Sequence, residues 1–277
     1  METSTGKAIR MRRLIQPESG TCVVCALDHG MTSPRLLPGL VDMERVTREA
    51  IAGGANVLML GAGMARRVAP HFHPTTALAL MLSASAAGRP EGGAVTPINS
   101  VEWALRLGAD AVVVYVALAG PDEPEIIHYV AQVAEDCDRW GMPFIAEAEF
   151  PDAYATLDRQ VRDFGAEYLM RNARLCAELG ADIVKVNWSS DQGSFARIVE
   201  AANAPVILAG GPVLDDLELL RRMEGAKAAG AIGCSVGRNI FAHPHPEAMT
   251  RALCRVIRDQ WKAERALEEL RLSVARA

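Results

Sequence analysis

Lys185 is the residue of this chain best suited to covalent chemistry. It is one of only four lysines among the 29 lysines and arginines, and it lies inside the apolar run ADIVKVNW. Arginine stays protonated at any accessible pH, whereas a lysine desolvated in an apolar strand can lose its proton near neutrality and attack a carbonyl carbon. We therefore predict a Schiff-base lysine. A strand-end lysine that extends to solvent or pairs with Asp182 is the open alternative.

Carboxylates end two other strand-like runs. Asp28 and His29 stand in LDHG, and Glu147 and Glu149 stand in AEAEFPD. Two residues apart on a strand, the glutamates point to the same side, where repulsion and desolvation would raise the pKa of one of them. We predict Glu149 as the general acid because it lies nearer the strand end, with Glu147 second. Loop capping by Asp28, or an arginine partner for either glutamate, stays open.

Two glycine-rich loops favour a phosphorylated substrate. The first is Gly210-Gly211-Pro212 and the second is Gly237-Arg238-Asn239. Such loops bring backbone N–H groups close to a phosphate, although either alone is also an ordinary turn. The predicted substrate-binding residues are Gly210, Gly211, Gly237, Arg238 and His29.

The elements that must position these residues alternate between short aliphatic runs and longer amphipathic segments, which is the pattern of βα units. Eight such units in about 250 residues predict a (β/α)8 barrel, with these residues at the carboxyl ends of its strands. A doubly wound sheet would need a dinucleotide glycine fingerprint after the first strand, and none is present. The predicted strands are Thr21–Leu27, Asn56–Leu60, Leu78–Ser83, Ala111–Val116, Pro143–Glu149, Asp182–Asn187, Pro205–Ala209 and Ala231–Ser235.

The domain organisation is predicted to be one domain, residues 1–277, with a barrel core of about 21–258 and a C-terminal helix at 259–277. The end of the chain, residues 248–277, reads as one long amphipathic helix or a pair of helices, typical of packing or subunit contact. Phrases such as GGAN and LGAD recur before strands and predict helices that return to the sheet through minimal glycine turns.

Composition excludes several function classes. The net charge is -5, the pI is near 5.7 and aromatic residues are 5 % of the chain, so a phosphate backbone would find no basic stripe. No apolar stretch is long enough to cross a bilayer and no signal core follows the N-terminus, so we expect a cytoplasmic protein. The six cysteines fit buried free thiols in a reducing compartment, and we predict neither a metal nor a cofactor.

Motifs along nearly the whole chain point to a known family. The residues that carry this likeness are LDHG with PGLVD, GGAN, LSAS, LGADAVVV, WGMPFIA, ELGADIVKVNW, PVILAGGP and VGRNIF. With these motifs the sequence resembles the archaeal-type class I fructose-bisphosphate aldolases, and within them the 2-amino-3,7-dideoxy-D-threo-hept-6-ulosonate synthases. The resemblance implies a Schiff base on Lys185, Asp28 as base or orienting acid, and phosphate on the glycine loops. It also implies a ring-like homo-oligomer, commonly a decamer, and a phosphorylated ketose donor such as dihydroxyacetone phosphate, with aspartate semialdehyde as a candidate acceptor.

Three positions depart from the family pattern. The family usually ends its fifth strand with a proton-donating Tyr before Pro-Arg-Gly, whereas this chain reads EAEFPDA, which aligns Glu149 or Phe150 with that Tyr. The family's Lys after GGP is Val213, and its His-Lys after the second strand is Gly61-Ala62. We expect the imine chemistry to survive and the substrate to differ from fructose 1,6-bisphosphate.

Three other functions remain open at the level of sequence. A thiolase-like acyl transferase could act on a phosphorylated diketone through the same lysine. A catalytically silent barrel could bind a sugar phosphate as a sensor. A metal-dependent aldolase could use the histidine pairs His71/His73 or His243/His245, although flanking prolines favour surface loops for both pairs.

Overall fold

A closed barrel of eight parallel strands forms the centre of the molecule. The structure is a computed structural model that describes residues 4–33, 35–85, 95–151 and 156–275. All eight predicted strands are confirmed, with ends that coincide or differ by at most two residues. The ten strands in chain order are β1 Cys22–Ala26, β2 Val57–Leu60, β3 Ala77–Met81, β4 Ser83–Ser85, β5 Val95–Pro97, β6 Ala111–Val116, β7 Phe144–Ala148, β8 Ile183–Val186, β9 Val206–Ala209 and β10 Gly233–Val236.

Helices surround the barrel, as the alternating pattern predicts. Three short 3-10 helices add to them at His29–Met31, Pro38–Leu40 and Ala69–His71. The α-helices are α1 Thr5–Leu14, α2 Met43–Ala52, α3 Ala62–Val68, α4 Val101–Arg106, α5 Glu123–Trp140, α6 Leu157–Asp163, α7 Gly165–Glu178, α8 Gln192–Ala202, α9 Asp216–Ala228, α10 Arg238–Phe241, α11 Pro246–Ile257 and α12 Ala263–Ala275. Among the described residues, no helix is long and apolar enough to cross a membrane.

The recurrent glycine phrases fold as minimal turns between a helix and the next strand. Gly54, Gly108, Gly180 and Gly230 have φ values of 103°, 80°, 104° and 102°. This left-handed region is open to glycine at little steric cost, so the chain reverses within two or three residues and re-enters the barrel.

The third predicted strand is too long. β3 ends at Met81, and the Ser83 hydroxyl accepts the Tyr115 N–H at 3.0 Å, where a continuing strand would offer a backbone carbonyl. The chain then leaves the barrel and pairs antiparallel in the β4–β5 hairpin, with Ser83 opposite Pro97. A hydropathy pattern does not show where a side-chain hydroxyl replaces a backbone carbonyl as the acceptor, so the sequence did not reveal this strand end.

The inward side chains at the amino-terminal end of the barrel form a layer that we call the interior floor. Its members are fully or almost fully buried and apolar: Cys22, Val24, Val57, Met59, Ala77, Ala79, Met81, Ala111, Val113, Ile145, Ile183 and Ile207. Leu14 of α1 packs against this layer, and the Asn56 amide donates to the carbonyls of Arg13 and Leu14. Helix α1 therefore closes the lower end of the barrel.

A second apolar layer lies between the strands and the surrounding helices, built from the alternate, outward residues of the same strands. The C-terminal segment contributes to it as a pair of helices, α11 packing against α2 and α9, and α12 against α9 and α11. Of the predicted helix at 259–277, residues 276–277 lie outside the described residues, and the single-domain division stays a prediction.

All six cysteines are free and buried, which confirms that expectation. Three of them lie beside the seam where β1 pairs with β10 and closes the barrel: Cys22 is opposite Gly233, and Val23 is opposite Cys234. Cys25, opposite Val236, completes this seam group. Burial raises the pKa of Cys22 and of Cys234, so neither thiol is a reactive thiolate at neutral pH.

Candidate active site

Register brings a polar row together at the carboxyl-terminal end of the barrel. Tyr115 of β6 is opposite Glu147 of β7, and Glu147 is opposite Lys185 of β8. Because residues two apart on a strand face the same way, these three side chains point inward directly above the interior floor. The lysine and the glutamate that the sequence picked out separately are therefore lateral neighbours.

Lys185 is held between two carboxylates. Its Nζ lies 2.5 Å from Glu147 Oε1, to which it donates a hydrogen bond, and 2.8 Å from Glu149 Oε1. Asp28, after β1, completes what we call the charged layer: Asp28, Glu147, Glu149 and Lys185. All four residues are at most 8 % exposed. Glu149 lies just past the strand end, yet faces inward as the spacing predicts.

The expected loss of a proton from Lys185 by desolvation is wrong. Burial alone lowers the pKa of a lysine, but the negative charges of Glu147, Glu149 and Asp28 outweigh it and raise the pKa of Lys185 above its ordinary value. The lysine is therefore an ammonium at neutral pH. The apolar run around it fixed only its burial, because the charges that decide its protonation come from other strands.

Two carboxyl groups of the charged layer, those of Glu147 and Asp28, have raised pKa values. Desolvation, opposed by Lys185 and reinforced by Glu149 and Asp28, raises the pKa of Glu147 to about 7. Desolvation also raises the pKa of Asp28, against the charge of Lys185. Three carboxylates around one ammonium would leave a buried net negative charge, so the layer binds an additional proton near neutrality. It can hold and release a proton at the pH where enzymes work.

Glu149 is positioned by a clamp on the next peptide unit. The Phe150 N–H donates to Asn187 Oδ1 at 2.7 Å, and the Phe150 carbonyl accepts the Tyr115 hydroxyl at 2.7 Å. The Tyr168 hydroxyl donates to the Glu149 carbonyl at 3.3 Å. Phe150 itself is fully buried against Phe164 and Tyr168, so the side chain that alternatively aligns with the family's Tyr points away from the cavity.

The two glycine loops lie side by side and use their glycines differently. Gly210 donates its N–H to the Ser235 carbonyl at 2.9 Å, so it lets the loops approach but has no free amide for a ligand. Gly211, with a φ of 67°, has open space where a side chain would be. A Cβ on Gly237 would lie 2.3 Å from His29 Cε1, so this glycine makes room for the imidazole.

Asn239 holds the first loop in shape. Its side-chain amide donates to the carbonyls of Gly210 and Pro212, and its Oδ1 accepts the Leu214 N–H. This satisfies buried polar groups that the glycine turn would leave unpaired. The loop is thus presented rigidly to the cavity.

His29 is neutral in this environment. Burial, followed by the positive charges of Arg238 and Lys185, lowers its pKa to about 3. The ring packs edge-on against Phe241. The ring also hydrogen-bonds the Ala26 backbone, so the single N–H of the neutral imidazole is already donated.

All nine residues predicted to be catalytic or substrate-binding line one cavity. It has a volume of about 540 Å³ including the solvent at its mouth, and its lining contains Asp28, His29, Glu147, Glu149, Lys185, Gly210, Gly211, Gly237 and Arg238. The sequence analysis missed four further polar lining residues: Thr32, Ser85, Tyr115 and Ser235. Tyr115 and Ser235 could have been found from period-two phase alone, because each lies on the inward side of its strand near its end.

The histidine pairs do not reach this cavity. His71, the last residue of the 3-10 helix Ala69–His71, contacts Glu44, and His73, in the segment that follows, contacts Thr75. His243 lies 3.6 Å from Asp216. Over residues 4–33, 35–85, 95–151 and 156–275, no group of three or more His, Cys, Asp or Glu is arranged to hold a metal ion. The other family departures, Val213 and Gly61-Ala62, contribute no charge, and Val213 is largely exposed.

Comparison with known proteins assigns the family. The model of the DeoC/LacD family aldolases matches residues 22–243. The chain is 36 % identical over 272 residues to the 2-amino-3,7-dideoxy-D-threo-hept-6-ulosonate synthase of Halobacterium salinarum, covering 98 % of this chain and 99 % of that protein. It is 32 % identical over 253 residues to the 2-amino-4,5-dihydroxy-6-oxo-7-(phosphonooxy)heptanoate synthase of Streptomyces griseus, covering 91 % and 90 %.

Solved structures agree on the fold. An archaeal fructose 1,6-bisphosphate aldolase superposes with a TM-score of 0.79 at 24 % identity, covering 91 % of this chain and 99 % of that one. A fructose-bisphosphate aldolase from Slackia heliotrinireducens gives 0.82 at 17 % identity, covering 99 % and 94 %. At these identities the likeness establishes the barrel architecture.

Proposed function

Because the chain belongs to the DeoC/LacD family of aldolases, we propose that it joins a phosphorylated ketone donor to an aldehyde through an imine on Lys185. The observation that carries this proposal is the charged layer, in which a buried lysine touches two buried carboxyl groups at the mouth of the barrel. A sugar-phosphate sensor would have no use for such a costly buried cluster. We therefore favour catalysis over the sensor.

The proposed chemistry follows class I aldolases. Lys185 Nζ attacks the donor carbonyl, water leaves, and the resulting iminium withdraws electrons from the adjacent carbon. Loss of a proton from that carbon gives an enamine, which attacks the acceptor aldehyde. The aldehyde oxygen then needs a proton, and we assign this donation to Glu149, which follows the end of β7. Water then hydrolyses the product iminium, which releases the product and frees Lys185. Asp28, which lines the same cavity and interacts electrostatically with Lys185, is assigned to orient the lysine or exchange the carbon-bound proton.

The donor phosphate is assigned to the glycine loops. Gly211 and Gly237 supply close approach of the backbone, Arg238 supplies positive charge, and the neutral ring of His29 lines the same site. Gly210 takes part through its missing side chain alone, since its N–H is already donated to Ser235. The Ser235 hydroxyl is buried in the same lining without a hydrogen-bond partner, so it is available to a ligand oxygen.

The names of the relatives limit the substrate. In a 2-amino-4,5-dihydroxy-6-oxo-7-(phosphonooxy)heptanoate, the aldol bond next to the 6-oxo group joins C4 and C5. Cleavage there gives a three-carbon hydroxyketone phosphate, dihydroxyacetone phosphate, and 2-amino-4-oxobutanoate, which is aspartate semialdehyde. The same cut in a 2-amino-3,7-dideoxyhept-6-ulosonate gives the same aldehyde with an unphosphorylated donor fragment. We therefore propose aspartate semialdehyde as acceptor and a three-carbon ketone as the fragment that is transferred.

Two experiments test this function. Borohydride reduction with dihydroxyacetone phosphate should add the mass of the reduced imine to the peptide that contains Lys185, and Lys185→Met should abolish the adduct. Incubation with dihydroxyacetone phosphate and aspartate semialdehyde should yield a seven-carbon 2-amino oxo acid phosphate by mass spectrometry. If the parent protein traps no ketone from a panel of phosphorylated and unphosphorylated donors, the imine proposal is wrong.

The proposal extends to assembly and setting. From the family resemblance we propose a homo-oligomer, specifically a decamer, working in the cytoplasm as a single-domain enzyme without metal or cofactor. Light scattering coupled to size exclusion measures the assembly mass against the monomer's 29.7 kDa. Full activity after exhaustive treatment with a chelator is the expected result, and its loss would favour a metal-dependent aldolase.

A further inference from the structure

The two glutamates beside Lys185 differ in where they meet it. Glu147 is opposite Lys185 in the ladder between β7 and β8, so both backbones fix the pair. Its Oε1 accepts a hydrogen bond from Nζ at 2.5 Å. Glu149 Oε1 is near Nζ at 2.8 Å but lies outside hydrogen-bonding geometry, and its residue follows the strand end.

Depth also separates them. Glu147 is 4 % exposed and Glu149 is 8 % exposed, and Glu149 belongs to the clamped segment that follows β7. Glu149 Oε1 also lies 2.8 Å from Nζ, but its residue lies past the strand end and is the more exposed of the two. The two acids therefore differ in backbone support and exposure, and Glu147 is the one whose position beside Lys185 the ladder fixes.

We propose that Glu147 is the catalytic base that activates Lys185 and then the acid that removes water from the carbinolamine. The proposal rests on the proposed imine function and adds the group that makes the lysine nucleophilic. It also replaces desolvation as the source of the free amine, since the charged layer keeps Lys185 protonated at rest.

Over these steps Glu147 accepts one proton and later donates it, so the protons balance. The carboxylate takes a proton from the Lys185 ammonium, which leaves a neutral amine and a carboxylic acid. The amine's lone pair forms the N–C bond to the donor carbonyl, and a proton passes from nitrogen to oxygen to give the carbinolamine. Glu147 then donates its proton to the hydroxyl, the C–O bond breaks, and water leaves an iminium. The net change is an ammonium plus a ketone going to an iminium plus water, with Glu147 again a carboxylate.

A base that acts near neutrality suits this role, because proton transfer is most efficient when the pKa lies near the working pH. The pKa of Glu147 is raised to about 7, first by burial. We expect the parent's rate of imine formation to rise up to about pH 7 and stay flat above it, since the proton moves within the pair. A lysine that had to lose its proton to solvent would instead give a rate rising well beyond pH 9.

The decisive test is a time course of imine formation, followed by rapid mixing with dihydroxyacetone phosphate and quenching with borohydride. Glu147→Gln should slow imine formation by ~10² to 10⁴-fold. Glu149→Gln, which removes the second carboxylate beside Nζ, should slow imine formation far less than Glu147→Gln and should slow chiefly the later step with the aldehyde. Glu268→Gln, an exposed glutamate on α12, is the matched surface control and should match the parent in both steps.

The outcomes separate the proposals. Equal imine rates in Glu147→Gln and the parent would overturn the role of Glu147 while leaving the aldolase proposal intact. Absence of an imine in the parent would instead remove the proposed function. If Glu147→Gln does not fold, Glu147→Asp keeps the acid one methylene further from Nζ and should slow imine formation without changing its pH profile. A parent rate that climbs steadily from pH 7 to 10 would contradict the proposal without any variant.

Discussion

The interior floor and the charged layer are built by the same strands, two residues apart. On β7 and β8, Ile145 and Ile183 lie in the floor, and Glu147 and Lys185 lie directly above them. The floor packs apolar side chains and gains stability from burial, whereas the charged layer buries four ionisable groups at a cost in desolvation. On the same strands, the residues that stabilise the fold and the residues that carry the chemistry are therefore two positions apart.

This comparison predicts opposite effects for substitutions in the two layers, and the largest effect belongs to the lysine. Lys185→Met should abolish imine trapping and reduce turnover to background, because none of the other lysines, all of which lie in the described part of the chain, lines the cavity. Lys262→Met, an exposed lysine paired with Glu224, should retain the parent's activity. Trapped adduct in Lys185→Met would move the nucleophile out of the charged layer.

Substitution of Glu149 should separate the two stages of the reaction. Glu149→Gln is expected to lower turnover by ~10² to 10⁴-fold, since it removes a positioned acid while preserving size and shape. The measurement is steady-state turnover with both substrates. Unchanged turnover in Glu149→Gln together with an inactive Asp28→Asn would assign the proton transfer to Asp28.

In the floor, the same kind of change should affect folding and not chemistry. Ile183→Ala should lower the free energy of unfolding by ~2 to 5 kcal/mol, because it opens a cavity under Lys185 in a fully buried site. Denaturant unfolding measures this, and turnover per folded molecule should stay within a few-fold of the parent. Ile9→Ala, at a 53 % exposed position, should cost little. A large loss of turnover in folded Ile183→Ala would show that the two layers are coupled.

The charged layer should also make stability depend on pH. The pKa of Glu147 is raised to about 7 in the folded protein from an ordinary 4.5, so the folded state binds a proton that the unfolded state releases. The favourable contribution is complete below pH 4.5 and is lost as pH rises toward 7, by at most ~1.4 kcal/mol per pH unit. Unfolding at a series of pH values should show this decline in the parent, and Glu147→Gln should flatten it.

The smallest predicted effect tests the clamp on Glu149. Tyr115→Phe removes the hydrogen bond to the Phe150 carbonyl, worth ~0.5 to 1.5 kcal/mol. If that bond positions Glu149, turnover should fall by up to about tenfold at unchanged KM for the donor, and the loss should vanish in a Glu149→Gln background. A loss that persists in the double variant would give Tyr115 a separate role in the cavity.

Sequence reasoning recovered the barrel because its signals are local. Each strand is an apolar run bounded by glycine, aspartate or proline, and parallel βα units leave few arrangements. Barrel topology then places strand ends together, which is why nine residues chosen from separate motifs line one cavity. The site's membership was predictable from order along the chain.

Its electrostatics were not predictable from the local sequence. The run around Lys185 indicated a desolvated, neutral amine. The carboxylates that keep the lysine protonated are far from it in sequence: Glu147 and Glu149 precede it by 38 and 36 residues, and Asp28 lies in the loop after the first strand. Register and distance decide which charges meet. The β4–β5 hairpin escaped for a related reason, since a single hydroxyl of Ser83 ends the third strand.

The six buried thiols allow local opening of this barrel to be measured by chemical labelling. A thiol reagent can modify a buried cysteine only during the moments when the surrounding structure separates, so the labelling rate measures the population of that opening. Cys22, Cys25 and Cys234 lie at the seam between β1 and β10, where the two ends of the barrel sequence meet, whereas Cys137 and Cys176 lie on α5 and α7. Labelling of the unmodified chain, followed by mass spectrometry of each cysteine-containing peptide, would therefore compare the rate at which the seam between β1 and β10 opens with the rate at which α5 and α7 separate from the barrel.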